Sequence, residues 1–183
     1  MKLSKKGMGI GQVFIFIVAA ITFALIMIFG YNAINSFLES GENIEFVQYK
    51  TDLENSIKKI YTEYGAVRVE QFNVPGNYEK VCFVDMGYKA NEQEIKKLCK
   101  NDPLACDTWR TAIAENGHSS VEQNVFLYPR KKQQVMIKVN PITISDIDDE
   151  DLRLGFVCIK IKDGTFSLIL EGKGDHTEVS EVK

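Results

Sequence analysis

The chain has 183 residues, enough for one modest domain and an anchor but not for two ordinary domains and an anchor. Its formal net charge of −3 denies it the basic face with which a general nucleic-acid binder displaces counterions from phosphate, so no nucleic-acid partner is expected. The charges are unevenly placed: none falls from Gly7 through Leu38, whereas beyond Leu38 they are spread along the whole chain.

The first element is the uncharged run Ile10 to Tyr31, IGQVFIFIVAAITFALIMIFGY. About 22 residues of helix cross the hydrocarbon core of a bilayer and satisfy their own backbone hydrogen bonds there. Only Gln12 and Thr22 interrupt the apolar character, and a Thr hydroxyl can bond back to its own helix. The alternative, a buried core helix, would need a domain large enough to surround a helix that is apolar on every side. Lys2, Lys5 and Lys6 precede the run and a mainly acidic segment, Glu39 to Glu54, follows it. The positive-inside rule therefore places the N-terminus in the cytoplasm and the larger C-terminal part outside, as a single-pass protein of the cell membrane with the lipid bilayer as its first partner. The run is too long for the apolar region of a secretory signal and lacks a small-x-small cleavage site after it, so it is expected to stay on the mature protein.

The segment MKLSKKGMGIGQVFIF resembles a class III signal peptide, the kind carried by type IV pilins, archaeal flagellins and pseudopilins. The resemblance covers the first ~35 residues only, and it implies cleavage by a prepilin peptidase on the cytoplasmic side. Lys5 and Lys6 match the basic pair, Gly7 the small residue before the cut, and Met8 the new N-terminus. It also implies an apolar stem that first anchors the protein and then packs with itself or with other pilin-like subunits. Where bacterial members carry a Glu that offsets a neighbour's N-terminal charge during assembly, this chain has Gln12. That departure bears on assembly rather than on cleavage, and it suits the archaeal branch, whose members often lack the Glu. Without the resemblance, the same lysines simply set the topology of an uncleaved anchor.

Past the run, Asn32 to Leu38 can continue the helix, and Gly41 is a candidate interruption. Phe46, Tyr49, Leu53, Ile57, Ile60, Tyr61 and Tyr64 recur at three- and four-residue spacing, the mark of an amphipathic stem helix that Gly65 terminates. Strands are expected over Ala66–Val74 and Lys80–Met86, and a helix over Asn91–Lys100. A second helix starts at Asp102-Pro103, carries Leu104, Trp109 and Ile113, and ends near Gly117. Asn124–Tyr128 and Gln134–Val139 read as strands joined by the basic turn Pro129-Arg130-Lys131-Lys132. LGFVCIKIK, Asp163-Gly164 and TFSLILEG read as a closing hairpin, and the polar tail after Gly172 as frayed. The expected fold class is α+β: a long N-terminal transmembrane and stem helix, then a small antiparallel-sheet domain with an inserted helical pair. The expected divisions are a leader at 1–7, the span and its extension at 8–38, the stem at 39–65, the extracytoplasmic domain at 66–172 and the tail at 173–183.

Cys82, Cys99, Cys106 and Cys158 all lie in the domain expected outside the cytoplasm, where an even count suggests two disulfides. Cys99 and Cys106 flank the Asn101-Asp102-Pro103 turn and would staple the helical pair, leaving Cys82 and Cys158 to meet in the sheet. Buried free thiols and a metal site are the alternatives. Six residues separate Cys99 from Cys106, wider than a zinc knuckle, so neither metal nor cofactor is expected. The acidic run Asp146 to Asp151 lacks the spacing of an EF-hand and reads as a solvated loop. There is no phosphate loop, HExxH or GxSxG, and His118 beside Ser119 and Ser120 does not make a triad, so no catalytic residue is expected. Three classes of function stand side by side: a pilin-like assembling surface protein, an uncleaved anchor displaying an interaction module for a secretion or envelope complex, and a membrane-tethered enzyme.

Overall fold

A computed structural model of the chain describes residues 10–75, 78–114, 122–129, 136–146 and 149–182. The chain divides into two units, Met1–Glu42 and Asn43–Lys183. One α-helix, α1, runs from Ile10 to Tyr61 through the boundary between them. Gly41 does not interrupt it, contrary to expectation; a single glycine inside a helix costs only about 1 kcal/mol, which a long helix absorbs. A stem separated from the span is therefore not seen as a distinct element.

In the second unit α1 turns an apolar stripe inward. Phe46, Tyr49, Leu53, Ile57 and Ile60 are buried, while Tyr64 is 83% exposed and Tyr61 only half-buried, so the stripe ends one turn sooner than its periodicity suggests. The helix closes at Gly65, whose φ of 75° is open to glycine without strain. Its end is clamped from the sheet side. The Gly65 N–H donates to the Gly172 carbonyl (2.8 Å), and the Thr177 hydroxyl donates to the Ile57 carbonyl (3.0 Å). Gly172 has no room for a side chain, since a Cβ there would run into the carbonyl oxygens of Ile60 and Glu63.

The strands are β1 (Val67–Asn73), β2 (Lys80–Val84), β3 (Val125–Tyr128), β4 (Met136–Ile137), β5 (Ile142–Asp146), β6 (Asp149–Leu154), β7 (Phe156–Lys160), β8 (Thr165–Gly172) and β9 (Thr177–Glu181). They form two sheets, ordered β1-β8-β9-β5-β6 and β4-β3-β2-β7. All pairs are antiparallel except β5 with β9, so the larger sheet is mixed. Helices α2 (Glu92–Asn101) and α3 (Pro103–Ala114) lie between β2 and β3 in sequence, as the inserted pair anticipated. The fold is α+β.

Sheet pairing differs from the sequence reading at three places. Asp163 and Gly164 do make a turn, with φ of 52° and 74°, and Lys162 bridges Thr165 across it. The strands on either side then part: β7 pairs with β2, and β8 with β1 and β9. Turn chemistry fixes the local reversal, but pairing follows the apolar faces. Phe166, Leu168 and Leu170 close on the α1 stripe, whereas Cys158 is drawn to Cys82. The tail beyond Gly172 is not frayed, because Thr177–Glu181 is β9, inserted between β8 and β5 with Thr177 and Val179 buried. The acidic run is not a loop either: Asp146 ends β5 and Asp149–Leu154 forms β6. Of the strand expected over 134–139, β4 covers Met136–Ile137 and stops before Lys138; Gln134 and Val135, with Arg130, Lys131 and Lys132 and like Gly117 and His118, lie outside the described residues.

Two cores result, one on each face of the four-stranded sheet. Val81, Phe83, Val125, Leu127 and Ile159 face α1 and the larger sheet. Cys82, Val84 and Phe126 face the helical pair, with Leu98, Ala105 and Trp109 opposite. β2 alternates between the two cores and so reads as a continuous apolar run. The helical pair is pinned at Asp102, which ends α2 and caps α3: its N–H donates to the Leu98 carbonyl (2.7 Å), and its Oδ1 accepts from the N–H groups of Leu104 (2.8 Å) and Ala105 (3.1 Å). Pro103 follows at the first helical position, as expected.

Candidate functional site: the apolar span and the polar cleft

The longest functional signal is in the first unit. Val13–Leu38 is a 26-residue stretch of α1 with mean hydropathy 2.9, none of it buried within the protein. Phe14, Phe16, Phe23, Ile26, Phe29 and Ile34 are exposed on all sides of the helix, and only Thr22, Asn32, Asn35 and Ser36 interrupt its apolar surface. At 1.5 Å per residue the stretch is about 39 Å long, more than the ~30 Å of a hydrocarbon core. The Thr22 hydroxyl donates to the carbonyls of Val18 and Ala19 (both 2.9 Å), which removes its cost in an apolar medium. This helix is long and apolar enough to cross a membrane. Gln12 falls in the first turn of α1; Lys5, Lys6, Gly7 and Met8 lie outside the described residues.

The second unit holds both cysteine pairs. Cys82 and Cys158 sit directly opposite each other on β2 and β7 and are disulfide-bonded. Cys99 of α2 is bonded to Cys106 of α3. No described Cys is free for a metal, and no group of three or more metal-type ligands gathers among the described residues.

A polar concavity of about 570 Å³ is lined by Asp85, Lys138, Thr143, Arg153 and His176 among others. Asp85, just past β2, has a side chain only 5% exposed. Its Oδ1 accepts from the Gly87 N–H (2.9 Å), and its Oδ2 accepts from Arg153 Nη2 (2.7 Å) and Nε (3.2 Å). The carboxylate is thus a buried charge made tolerable by a two-pronged guanidinium contact. Arg153 lies on β6, two residues past the acidic run taken from sequence as a solvated loop. Lys138 pairs with Glu122 (2.7 Å) and His176 with Asp175. The Asn124 amide closes a ring on Val139, accepting its N–H (2.9 Å) and donating to its carbonyl (3.4 Å). Charged groups of the cleft are therefore held in intramolecular pairs, which suits a polar contact surface.

Comparisons of the chain with protein-family models, curated proteins and solved structures return no match.

Sequence reasoning did not single out Asp85, Arg153 or His176. Asp85 and Arg153 are 68 residues apart and meet only because β2 and β6 end at the same side of the fold. Burial of Asp85 has no signature in its neighbours. A second groove, about 600 Å³ between α1 and β1, is lined by the carboxylates Glu45, Asp52 and Glu70 together with amides and Tyr49. The Tyr49 hydroxyl is buried with no hydrogen-bond partner among the described residues, and burial, reinforced by Tyr78, pushes its pKa well above the usual tyrosine range.

Proposed function

We propose that the chain is a membrane-anchored, pilin-like surface protein with a structural role in assembly, held by Val13–Leu38 with its N-terminus in the cytoplasm and residues 43–183 outside. The observation that carries this reading is the uncharged, strongly apolar span, none of it buried, close behind the basic leader that ends in Gly7. Lys5, Lys6 and Gly7 are the recognition elements for a prepilin peptidase, and Met8 is the first residue of the mature chain. Two disulfides in the second unit support an oxidising compartment for it, since such bonds persist outside the cytoplasm. The proposed role carries no reaction and needs no cofactor.

An uncleaved anchor displaying an interaction module is the second reading. It is favoured by Gln12, which supplies no charge to offset a neighbouring N-terminus, and by the 570 Å³ polar cleft. A Gly7→Phe substitution separates the two. In cells with an active prepilin peptidase, pilin-like processing gives a shorter membrane form of the native chain and a full-length form of the variant. Identical lengths for both would favour the uncleaved module. Protease added to intact cells should remove epitopes placed after residue 43; epitopes there that survive until the cells are lysed contradict the proposed orientation.

A further inference from the structure

Among the described residues β1 is the longest edge strand of the two sheets, at seven residues against six for β6, five for β7 and two for β4. Edge strands in native proteins are usually shielded by charge, proline, bulges or brevity. β6 has one such shield, a register irregularity at Ser145/Asp146 in its pairing with β5. β1 has none of them on its outer face. It pairs with β8 in one unbroken register from Val67↔Glu171 to Asn73↔Thr165, and among the described residues no strand lies on its other side.

The parity of the free edge follows from two hydrogen bonds at the ends of the ladder. The Gly172 N–H donates to the Ala66 carbonyl (3.0 Å) and the Val74 N–H to the Gly164 carbonyl (2.8 Å). Even-numbered residues of β1 therefore bond to β8, and the backbone groups of Val67, Val69, Gln71 and Asn73 point outward. Those same residues have exposed side chains, Val67 by 59% and Val69 by 67%. Along 70–75 the strand borders the groove beside α1.

We propose that this edge is an interface between two copies of the chain, with β1 pairing antiparallel to β1 of a second copy about a twofold axis at Val69. The sequence VRVEQFN is self-complementary in that register. Val69 faces Val69 of the second copy, Val67 faces Gln71, and Arg68 faces Glu70 twice over. The outward-pointing residues match one another, giving three narrow pairs and about six backbone hydrogen bonds. Registers centred one residue away also keep the parity but set Arg68 against Arg68 or Glu70 against Glu70, and like charges directly opposite are unfavourable. Arg68 already lies against Glu63, and Glu70 accepts from Ser56 (3.2 Å), so both charges sit on one face of the strand with capacity for a further partner. The result is a closed, isologous pair in which the two five-stranded sheets become one continuous sheet. The inference holds whether or not the leader is cleaved.

The test is the association state of the full chain in mild detergent, measured by sedimentation across a concentration series. The native chain is expected to form a concentration-dependent dimer. Val69→Lys sets two ammonium groups across the axis and should raise the dissociation constant about tenfold or more; its N–H and side chain both point outward, so the fold is unaffected. Arg68→Glu should weaken the dimer as well, and Arg68→Glu combined with Glu70→Arg should restore it to within about threefold of the native value. As a check independent of affinity, Val69→Cys should cross-link to itself under mild oxidation, and Asn73→Cys should not. A monomer at every concentration overturns the inference, as does a dimer indifferent to Val69→Lys, which would belong to the apolar span. Failure of the double exchange to restore association overturns the register.

Discussion

Tyr49 shows what a single buried hydroxyl does to the pH dependence of this fold. Its pKa in the folded state is raised above the unfolded value of about 10. The stability it supports is therefore full below that pH and is lost as pH rises, because only the unfolded chain can release the proton. One such group steepens alkaline destabilisation by about 1.4 kcal/mol per pH unit above pH ~10. Tyr49→Phe should flatten that limb and leave stability at pH 7 unchanged or higher by up to about 1 kcal/mol, since no hydrogen bond is lost. Denaturant titration followed by the fluorescence of Trp109, the one tryptophan in the chain, measures both; an alkaline limb as steep as the native one contradicts this account. Asp85 makes the complementary case. Arg153→Ala leaves a carboxylate that is 95% shielded without its cation, and with Arg153 half exposed the expected loss is about 1–2 kcal/mol. Lys96→Ala, which breaks the exposed pair with Glu92, should cost nothing measurable. Neither Tyr49 nor Asp85 could be recognised from sequence as special, because burial of a polar atom depends on partners dozens of residues away.

At the scale of elements, legibility follows contact range. The α1 stripe, the Asp102-Pro103 start of α3 and the Asp163-Gly164 turn are local patterns, and each appears where its residues point. The destination of the strands after that turn is not local: β7 and β8 leave one tight turn for different sheets, and β9 is read as tail until β5 and β8 supply its two neighbours. Its alternation, Thr177 and Val179 against Glu178 and Ser180, is too polar to announce a strand, and Thr177 is buried because its hydroxyl finds the Ile57 carbonyl. The two disulfides belong to this scale as well. Cys82–Cys158 closes a separation of 76 residues and Cys99–Cys106 one of 7. Chain entropy gives about 4.5 kcal/mol for the longer loop and about 2.4 kcal/mol for the shorter. The pair substitution Cys82→Ala/Cys158→Ala should therefore lower the melting temperature more than Cys99→Ala/Cys106→Ala; the opposite ranking in calorimetry would show that local helix pairing, not loop closure, dominates.

For the molecule as a whole, one chain carries an apolar span and a folded, disulfide-bonded unit, and the proposed function adds the removal of a basic leader. The span is legible from composition alone, because charge is absent from Gly7 to Leu38 and the helix there is strongly apolar. The leader is legible only as a short motif, and the folded unit carries a polar cleft in which Asp85 pairs with Arg153 and Lys138 with Glu122, pairings set by the fold rather than by neighbours in sequence. The most direct measurement is the intact mass of the mature protein, isolated from membranes of its native host or from cells co-expressing a prepilin peptidase. The account predicts a chain that begins at Met8 and retains the whole of Val13–Leu38. A chain that still carries Met1 to Gly7 in the presence of active peptidase would contradict it, and would leave an uncleaved anchor whose role lies with the partners of residues 43–183.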